Sequence, residues 1–341
     1  MRLRGGCRLS CYLLKYWRGE SGGWGVALDI VLLPIEVVYR LCAHLRSLLY
    51  NIGFLTTRKL EVPVISVGNI TVGGTGKTPF SRWIFERLTK IGMSPGLISG
   101  DWGRDEHLLH QSWNPKGNFV INREKSKGAE VAIIQGADVV IIDDGFQHLQ
   151  LGRDVDVVLV AAEQDDSLKC LPRGILREPF EFISRADMVI VSRKTASKSV
   201  AERMVRKVAD FVPEEKIGQI YLEFSCWTDI EGNPIGAPVG KQLVITSIAE
   251  PELLIEIVES KTGEMPESEI YRDHHDFTQS DLDYLRIRSE GYNIVITEKD
   301  GVKLKKFPDV LDNIHVLRLD MKWERGESRM IEMLRRIEER V

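Results

Sequence analysis

The chain has 341 residues, of which 43% are hydrophobic and 28% are charged, and its formal net charge is −4. This length is enough for two domains of ordinary size, and this composition is typical of a globular protein rather than a disordered or membrane-embedded one. The slightly acidic charge gives no global signal for nucleic-acid binding. The five cysteines form no CxxC pair and have no zinc-ligand spacing, which predicts scattered reduced thiols.

The N-terminal part of the chain is predicted to be an extension (residues 1–24) followed by a membrane-associated helical segment (residues 25–60). The extension is basic and lacks the apolar core and cleavage site of a secretory signal. The apolar stretch 26–39 contains charges and is shorter than the roughly 20 apolar residues of a transmembrane span. Basic and apolar residues alternate after it, as in a helix lying in the membrane interface. A helix packed on the protein's own core is the alternative.

Residues 61–227 alternate short apolar runs with helical stretches, which predicts a parallel sheet covered by helices on both faces. Strands are predicted over 62–67, 96–99, 139–144, 155–160 and 188–192, and helices over 79–91 and 127–136.

Turn-forming residues crowd 227–240 and predict a linker. A second series follows, with strands over 242–245, 293–297 and 314–317, helices over 251–259 and 280–289, and a charged terminal helix over 323–341. Residues 228–341 are therefore predicted to form a smaller C-terminal α/β domain behind the domain of residues 61–227.

A glycine-rich loop, TVGGTGKT over 71–78, connects the first buried strand to a helix. It fits a phosphate-binding loop except that threonine stands where the first glycine is usual. The glycines let backbone N–H groups turn towards phosphate, and the helix adds its positive end. The predicted nucleotide-binding residues are Thr71, Val72, Gly73, Gly74, Thr75, Gly76, Lys77 and Thr78. Among them, Lys77 is predicted to reach the β- and γ-phosphates of ATP, and the Thr78 hydroxyl to hold Mg²⁺.

An acidic pair, Asp143 and Asp144, closes the apolar run 139–144. Enzymes with a phosphate-binding loop hold Mg²⁺ or its water shell with such an acidic residue. We therefore predict that Asp143 is a metal ligand and that Asp144 is catalytic. A helix cap is the alternative for such a pair.

Five motifs occur in order: TVGGTGKTP (71–79), DDGFQH (143–148), LPRGILREP (171–179), DHHDFT (273–278) and TEKDGVKL (297–304). Together they resemble the tetraacyldisaccharide 4'-kinase family, the lipid A 4'-kinases of Gram-negative bacteria. That family also has threonine at the position of Thr71. The resemblance runs from about residue 26 to the C-terminus and leaves the first 20 or so residues outside it.

The resemblance implies a P-loop α/β domain and a smaller C-terminal α/β domain, with the active site in the cleft between them. It implies an ATP-dependent phosphotransferase that acts on the 4'-hydroxyl of a tetraacyl glucosamine disaccharide 1-phosphate to give lipid IVA. The protein would sit at the cytoplasmic face of the bacterial inner membrane, peripheral or anchored by its N-terminal helix. The lipid disaccharide and the membrane surface are the expected partners, with no nucleic acid and no obligate protein partner.

The resemblance also implies an Asp–His dyad that accepts the proton of the sugar hydroxyl. The family's aspartate lies in a GDEP-like segment, which RDEH over 104–107 matches only in part. Asp105 is therefore the predicted base, with Asp101 as the alternative. His274 is its predicted partner, with His275 as the alternative.

Further phosphate or substrate contacts are predicted on both sides of the acidic pair. Guanidinium groups suit phosphate because they donate two parallel hydrogen bonds, although a surface ion pair is the alternative for each arginine. The TEKD segment over 297–300 has its lysine one place late for a guanine-recognition pattern, so a structural, phosphate-binding or base-binding role stays open. The predicted contacts are Arg123, Gln147, His148, Arg173 and Arg177.

Two other functions fit parts of the pattern. A P-loop GTPase or metallochaperone-like regulator would carry a guanine motif and often Cys/His metal ligands, and the sequence has neither. An inactive membrane-bound relative would have lost Lys77, Thr78 or the acidic pair, all of which are present. The altered segment around Asp105 keeps this second alternative open.

Overall fold

The structure is a computed structural model that describes residues 2–4, 16–17, 19–100, 104–164, 168–307 and 311–340. From the N-terminus the elements are β1 (Arg2–Arg4), α1 (Gly23–Asn51), β2 (Val64–Asn69), α2 (Lys77–Lys90), β3 (Pro95–Ser99), α3 (Arg104–Trp113), β4 (Asn118–Ile121), α4 (Lys125–Ile134), β5 (Val139–Asp143), β6 (Val155–Ala161) and β7 (Met188–Arg193). They continue with α5 (Lys198–Ala209), β8 (Ile217–Thr228), β9 (Pro234–Ile235), β10 (Gln242–Thr246), α6 (Pro251–Thr262), β11 (Glu267–Tyr271), α7 (Gln279–Arg288), β12 (Asn293–Thr297), α8 (Glu298–Leu304), β13 (Ile314–Arg325) and α9 (Glu327–Glu338).

The fold is mixed α/β with a mostly parallel β-sheet, so the predicted α/β class is confirmed. Backbone contacts divide the described residues into two compact units. The larger unit takes its residues from Leu9–Arg104, Lys116–Leu222 and Met321–Val341, and the smaller unit from Met1–Arg8, Asp105–Pro115 and Glu223–Asp320. The sequence boundaries had instead placed 105–115 with the first domain and 321–341 with the second.

The larger unit has the strand order β8-β7-β6-β2-β5-β3-β4, and the register of these strands is parallel throughout. Strand β2 lies between β5 and β6, where Val67 pairs with both Asp143 and Val157. Strands β2, β5 and β6 are buried over their whole length, because helices cover both faces of a parallel sheet. The phosphate-loop segment after β2 and the acidic pair after β5 therefore start from neighbouring carboxyl ends.

Apolar cores cover both faces of this sheet. On one, Phe80, Ile84 and Leu88 of α2 pack with Met330 and Leu334 of α9. The opposite face includes Val158 and Val160 of β6, Val189 and Val191 of β7 and the buried side of α5. Helix α9 thus belongs to the larger unit.

The terminal helix was predicted too long at its start. Residues 323–325 continue strand β13, and Gly326, with φ +88°, precedes the helix. The Trp323 ring packs edge-on against Trp83 with the centroids 5.2 Å apart. Local sequence gives no signal for this contact, because Trp83 lies 240 positions before Trp323. The prediction of helix over 323–325 is therefore wrong.

The smaller unit has the strand order β1-β11-β10-β12-β13, and these pairs are also parallel. Its core includes Phe277, Leu282, Leu285 and Ile296. The predicted linker 227–240 contains an antiparallel pairing, in which Trp227 of β8 lies opposite Ile235 of β9. Helix α3 belongs to this unit from Asp105 onward, although the next segment of the unit begins only at Glu223.

Helix α1 presents polar groups to the larger unit and leaves apolar side chains exposed. The Tyr39 hydroxyl donates to the backbone oxygen of Arg177 at 2.6 Å, and Glu36 is 4% exposed. Within the described ranges, no helix combines the length and apolar character that crossing a membrane requires. The exposed apolar residues of the helix are Trp24, Val26, Leu28, Ile30, Val31, Leu33, Ile35, Val37, Val38, Leu41, Leu45 and Leu48.

Candidate functional site

The phosphate-loop segment has the backbone that its glycines predict. Gly73 and Gly76 have φ values of +114° and +81°, which a residue with a Cβ adopts only with strain. Gly76 caps α2, so Lys77 is the first helical residue and lies at the positive end of the helix. The Ser192 hydroxyl donates to the Thr75 oxygen at 2.8 Å and holds the loop against β7. A loop of this conformation before a helix N-terminus is able to bind phosphate.

Thr71, the residue that departs from the usual pattern, is 1% exposed. It forms an isolated antiparallel bridge with Leu176, next to the hydrogen bond from the Val72 nitrogen to the Ile175 oxygen at 2.8 Å. Its side chain is thus buried in the protein, and the loop glycines at 73, 74 and 76 are unaffected.

The two aspartates of the acidic pair have different surroundings. Asp143 is 2% exposed, and its Oδ1 accepts from the Ser81 hydroxyl at 3.3 Å and from the Asp144 nitrogen at 3.1 Å. Asp144 has a left-handed φ of +54° and a half-exposed side chain. Its carboxylate lies 3.6 Å from Lys77 Nζ and 2.9 Å from Arg177 Nη1. The structure therefore brings Lys77, Asp144 and Arg177 together.

Asp144 is held ionised by these cations. Burial acts to raise its pKa, but the charges of Lys77 and Arg177 outweigh burial and lower the pKa below its ordinary value. A carboxylate that is ionised at neutral pH can exchange these cations for a metal ion, which leaves Lys77 and Arg177 free to pair with phosphate oxygens.

The oxygen atoms of Thr78, Asp143 and Asp144 are hard donors, which suit Mg²⁺. No group of three or more His, Cys, Asp or Glu side chains that could hold a metal occurs among the described residues. Mg²⁺ usually takes one or two carboxylates and completes its shell with water and substrate phosphates. The residues present therefore fit Mg²⁺ bound together with a nucleotide.

Arg173, predicted to contact phosphate, has other partners. Its guanidinium donates to Asp29 Oδ2 at 2.7 Å and to Glu36 Oε2 at 3.0 Å, both on α1. These two hydrogen bonds raise the pKa of Arg173. The guanidinium that is predicted to contact phosphate thus pairs here with two carboxylates of α1, a pairing that the local sequence does not reveal.

The remaining predicted contacts surround the same strand ends. Gln147 Nε2 donates to the Asn69 oxygen at 2.9 Å, so its amide supports the end of β2. Burial lowers the pKa of His148, and nearby cations including Lys125 add to that shift. Arg123 is exposed just after β4.

The predicted base and its partner meet within the smaller unit. Asp105, in the first turn of α3, is 5% exposed. Its two carboxylate oxygens lie 2.9 and 3.0 Å from His274 Nδ1, so this nitrogen carries a proton and donates it. Asp101, the alternative base, lies outside the described residues. His275, the alternative partner, is bound elsewhere, since its Nε2 lies 3.0 Å from Asp281 Oδ2.

Charges around this pair set its protonation. Burial acts to raise the pKa of Asp105, but the hydrogen bond from His274 and the charges of Lys299 and Lys303 lower it to about 2. The same hydrogen bond raises the pKa of His274, against the opposing effect of burial. Asp105 is thus ionised at neutral pH, and His274 is the member of the pair that titrates.

Lys303 is a site residue that the sequence reasoning missed. It is 5% exposed, and its Nζ lies 3.7 Å from Asp105 Oδ2 and contacts the Ser247 hydroxyl. Lys299 Nζ lies 3.4 Å from the same carboxylate oxygen. The i, i+4 spacing of the two lysines on α8 was the available signal, because residues four apart share a helix face.

Asp300, between these lysines in sequence, has a structural role. It is fully buried and accepts from the Thr246 hydroxyl at 2.7 Å and the Ser247 hydroxyl at 2.6 Å. The TEKD segment therefore ties α8 to the end of β10 and aims the two lysines at Asp105.

Comparison with known proteins gives a consistent family. Residues 28–338 match the family model described as LpxK, tetraacyldisaccharide-1-P 4'-kinase. The chain is 30% identical to a tetraacyldisaccharide 4'-kinase of Chlorobium luteolum, over 91% of this chain and 98% of the relative. It is 31% identical to one of Geobacter sulfurreducens, over 85% and 89%. A crystal structure of LpxK from Aquifex aeolicus in complex with ATP superposes with a TM-score of 0.73 at 26% identity, covering 91% of this chain and 99% of that one.

Proposed function

The chain belongs to the tetraacyldisaccharide-1-P 4'-kinase family, and we propose that it transfers the γ-phosphate of ATP to the 4'-hydroxyl of a tetraacyl glucosamine disaccharide 1-phosphate. The product would be lipid IVA, an intermediate of lipid A. The contact between Asp105 and His274 carries the proposal. Asp105 lies in the segment that departs from the family pattern, and an inactive relative would have no reason to keep a buried, charged Asp–His pair there.

The chemistry assigns a task to each cluster. The acceptor oxygen forms a bond to the γ-phosphorus, and the bond from that phosphorus to the β,γ-bridging oxygen breaks, so that ADP leaves. Asp105 accepts the hydroxyl proton, and His274 holds and orients its carboxylate. Lys77 and Arg177 supply positive charge for the phosphate oxygens. When bound, Mg²⁺ would neutralise phosphate charge, held by Thr78 and by Asp143 or Asp144.

Helix α1 supports a location at a membrane surface. Its apolar side chains are exposed, whereas its polar groups face the larger unit. A helix of this kind binds the interface between lipid headgroups and acyl chains. This placement, at the cytoplasmic face of the inner membrane, would bring the enzyme to a substrate that is itself a lipid.

The test is an assay of the purified full chain with γ-labelled ATP and the tetraacyldisaccharide 1-phosphate. We expect label in the lipid and release of ADP, with little transfer from GTP. Lys77→Ala and Asp105→Asn should each lower the transfer rate by about 100-fold or more while the protein stays folded.

Glu106→Gln is the matched control, since it removes the carboxylate next to Asp105, which pairs with Lys299 at 3.8 Å and not with His274. Its rate should fall far less than that of Asp105→Asn. Absence of label in the lipid after incubation with the wild type would contradict the proposed function. Near-normal turnover by Asp105→Asn would contradict the assignment of the base alone.

A further inference from the structure

Lys125, a residue that no motif singled out, lies beside the acidic pair. It is the first residue of α4 and is 4% exposed. Its Nζ donates to the backbone oxygen of Asp143 at 2.7 Å. A Cβ at Gly100 would lie 3.6 Å from the same Nζ, so the ammonium group sits where β3 and β5 end. Burying an ammonium group is costly, which argues that this position needs the charge.

The carbonyl that Lys125 holds begins the turn to Asp144. The backbone of Asp144 is left-handed, a conformation that is strained for a non-glycine residue and persists only where neighbours impose it. On the far side of the turn, the Gly145 nitrogen donates to the Val67 oxygen at 3.1 Å. The peptide groups on both sides of Asp144 are thus tied to the larger unit.

We propose that Lys125 is a positioning residue for phosphoryl transfer, which holds the Asp143 carbonyl and thereby keeps the Asp144 carboxylate turned towards Lys77 and Arg177. Its effect on catalysis rests on the proposed function, whereas its effect on the Asp144 turn does not. The buried charge of Lys125 also acts on Asp144 directly, as the last of the contributions that lower the pKa of that carboxylate. A lysine that merely attached α4 to the sheet would affect stability alone.

The test compares Lys125→Met, which keeps the length but loses the charge and donor, with Lys125→Arg, which keeps both. Lys127→Met is the matched control, because Lys127 is an exposed lysine on the same helix that pairs with Glu124 at 2.7 Å. Each full-length variant is measured for its melting temperature, for kcat and both KM values, and for ADP affinity with and without Mg²⁺.

We expect Lys125→Met to lower kcat by about 10- to 100-fold with the KM for the lipid acceptor unchanged. The gain in ADP affinity on adding Mg²⁺ should fall by a similar factor, and Lys125→Arg should restore most of both. If Lys125→Met does not fold, Lys125→Leu replaces it, since leucine likewise has neither the charge nor an N–H donor.

Normal kcat and a normal Mg²⁺ effect in a folded Lys125→Met or Lys125→Leu would overturn the proposal. Equal losses in Lys125→Met and Lys127→Met would overturn it as well. If the wild type itself transfers no phosphate, the proposed function fails, and the Mg²⁺ dependence of ADP binding still decides the role of Lys125.

Discussion

Two pairs of identical neighbours, Asp143-Asp144 and His274-His275, are separated by their backbone conformation. In each pair one member is left-handed, with φ of +54° at Asp144 and +57° at His274. Asp144 faces Lys77 and Arg177, and His274 faces Asp105. The other members have different partners, since Asp143 is buried against Ser81 and His275 is bound to Asp281. Left-handed non-glycine residues are costly and concentrate at functional sites, so both outliers favour a functional role for the residue that carries them.

The titration of His274 predicts the pH dependence of the reaction. Asp105, with a pKa of about 2, stays ionised throughout the working range, whereas the pKa of His274 is raised above 6.5. Protonated His274 binds the carboxylate more tightly and makes it a weaker base. We therefore expect kcat/KM to rise with pH through an apparent pKa above the ordinary value for histidine.

The measurement is a profile of kcat/KM between about pH 5 and pH 9, where histidine is the side chain that titrates. In His274→Gln this limb should vanish. A limb that persists unchanged in His274→Gln would show that another group controls it.

Among the elements, helix α1 combines charged side chains that pair with Arg173 and apolar side chains that are exposed. Asp29 and Glu36, the charges that argued against a membrane span, pair with Arg173 in the larger unit. The apolar residues between them remain exposed, so the alternative of apolar packing on the protein's own core does not describe this helix. The LPRGILREP motif contains both Arg173, which pairs with α1, and Arg177, which faces Asp144.

Arg173→Ala should weaken the attachment of α1 rather than nucleotide binding. Glu36 is buried, and loss of its cationic partner should cost about 1–3 kcal/mol of unfolding free energy. Thermal unfolding and the KM for ATP measure the two effects. Arg40→Ala is the control, because Arg40 and Glu181 form a half-exposed pair at 3.3 Å that should contribute less than about 1 kcal/mol. A raised KM for ATP at unchanged stability would instead indicate that Arg173 contacts phosphate.

The exposed face of α1 should carry membrane binding. Val31 and Val38 are 63% and 59% exposed, and the double substitution Val31→Glu, Val38→Glu places charge in that face. We expect about tenfold weaker sedimentation with anionic phospholipid vesicles, because charged groups oppose burial in the interface. ATP binding should be unchanged.

Ile134→Glu is the control for this experiment, since Ile134 is 85% exposed on α4 in the same unit. Vesicle binding that is equally weak in the control, or unchanged in the double variant, would contradict a membrane role for α1.

For the molecule as a whole, the path of the chain is the feature that sequence boundaries miss. Residues 105–115 pack with the smaller unit and 321–341 with the larger one, so each unit is built from separated segments. Asp105 reaches His274 only because α3 joins the smaller unit, 169 residues away in sequence. A cut of the chain at residue 227 would separate the predicted base from its partner.

Deletion of residues 1–20 should leave phosphate transfer intact, since the family match begins at residue 28. It removes strand β1 from the edge of β11 and the hydrogen bond from the Tyr16 hydroxyl to Asp29 at 2.8 Å. The melting temperature should therefore fall modestly, because one such hydrogen bond contributes about 1 kcal/mol. Kinetics and thermal unfolding of the truncated protein check both outcomes, and a large loss of kcat would reveal a role for the extension.

Local sequence determined the features that depend on neighbouring residues. The glycines at 73 and 76 predicted the phosphate-loop backbone, and continuous apolar runs predicted β2, β5, β6 and β7, since backbone preference and burial on both faces leave a local pattern. The motifs that carry the family resemblance are local too, and the family is shown by residues 28–338.

Only the tertiary structure decided which partners the side chains of similar residues have. It pairs His274 with Asp105 and Arg173 with α1, continues β13 through Trp323, and places Lys303 and Lys125 beside carboxylate and carbonyl groups. Most of these contacts join residues that are distant in the chain. The two histidines are neighbours and differ in backbone conformation, since His274 alone is left-handed. Such contacts form when segments pack together, so local patterns in a single sequence give no signal for them.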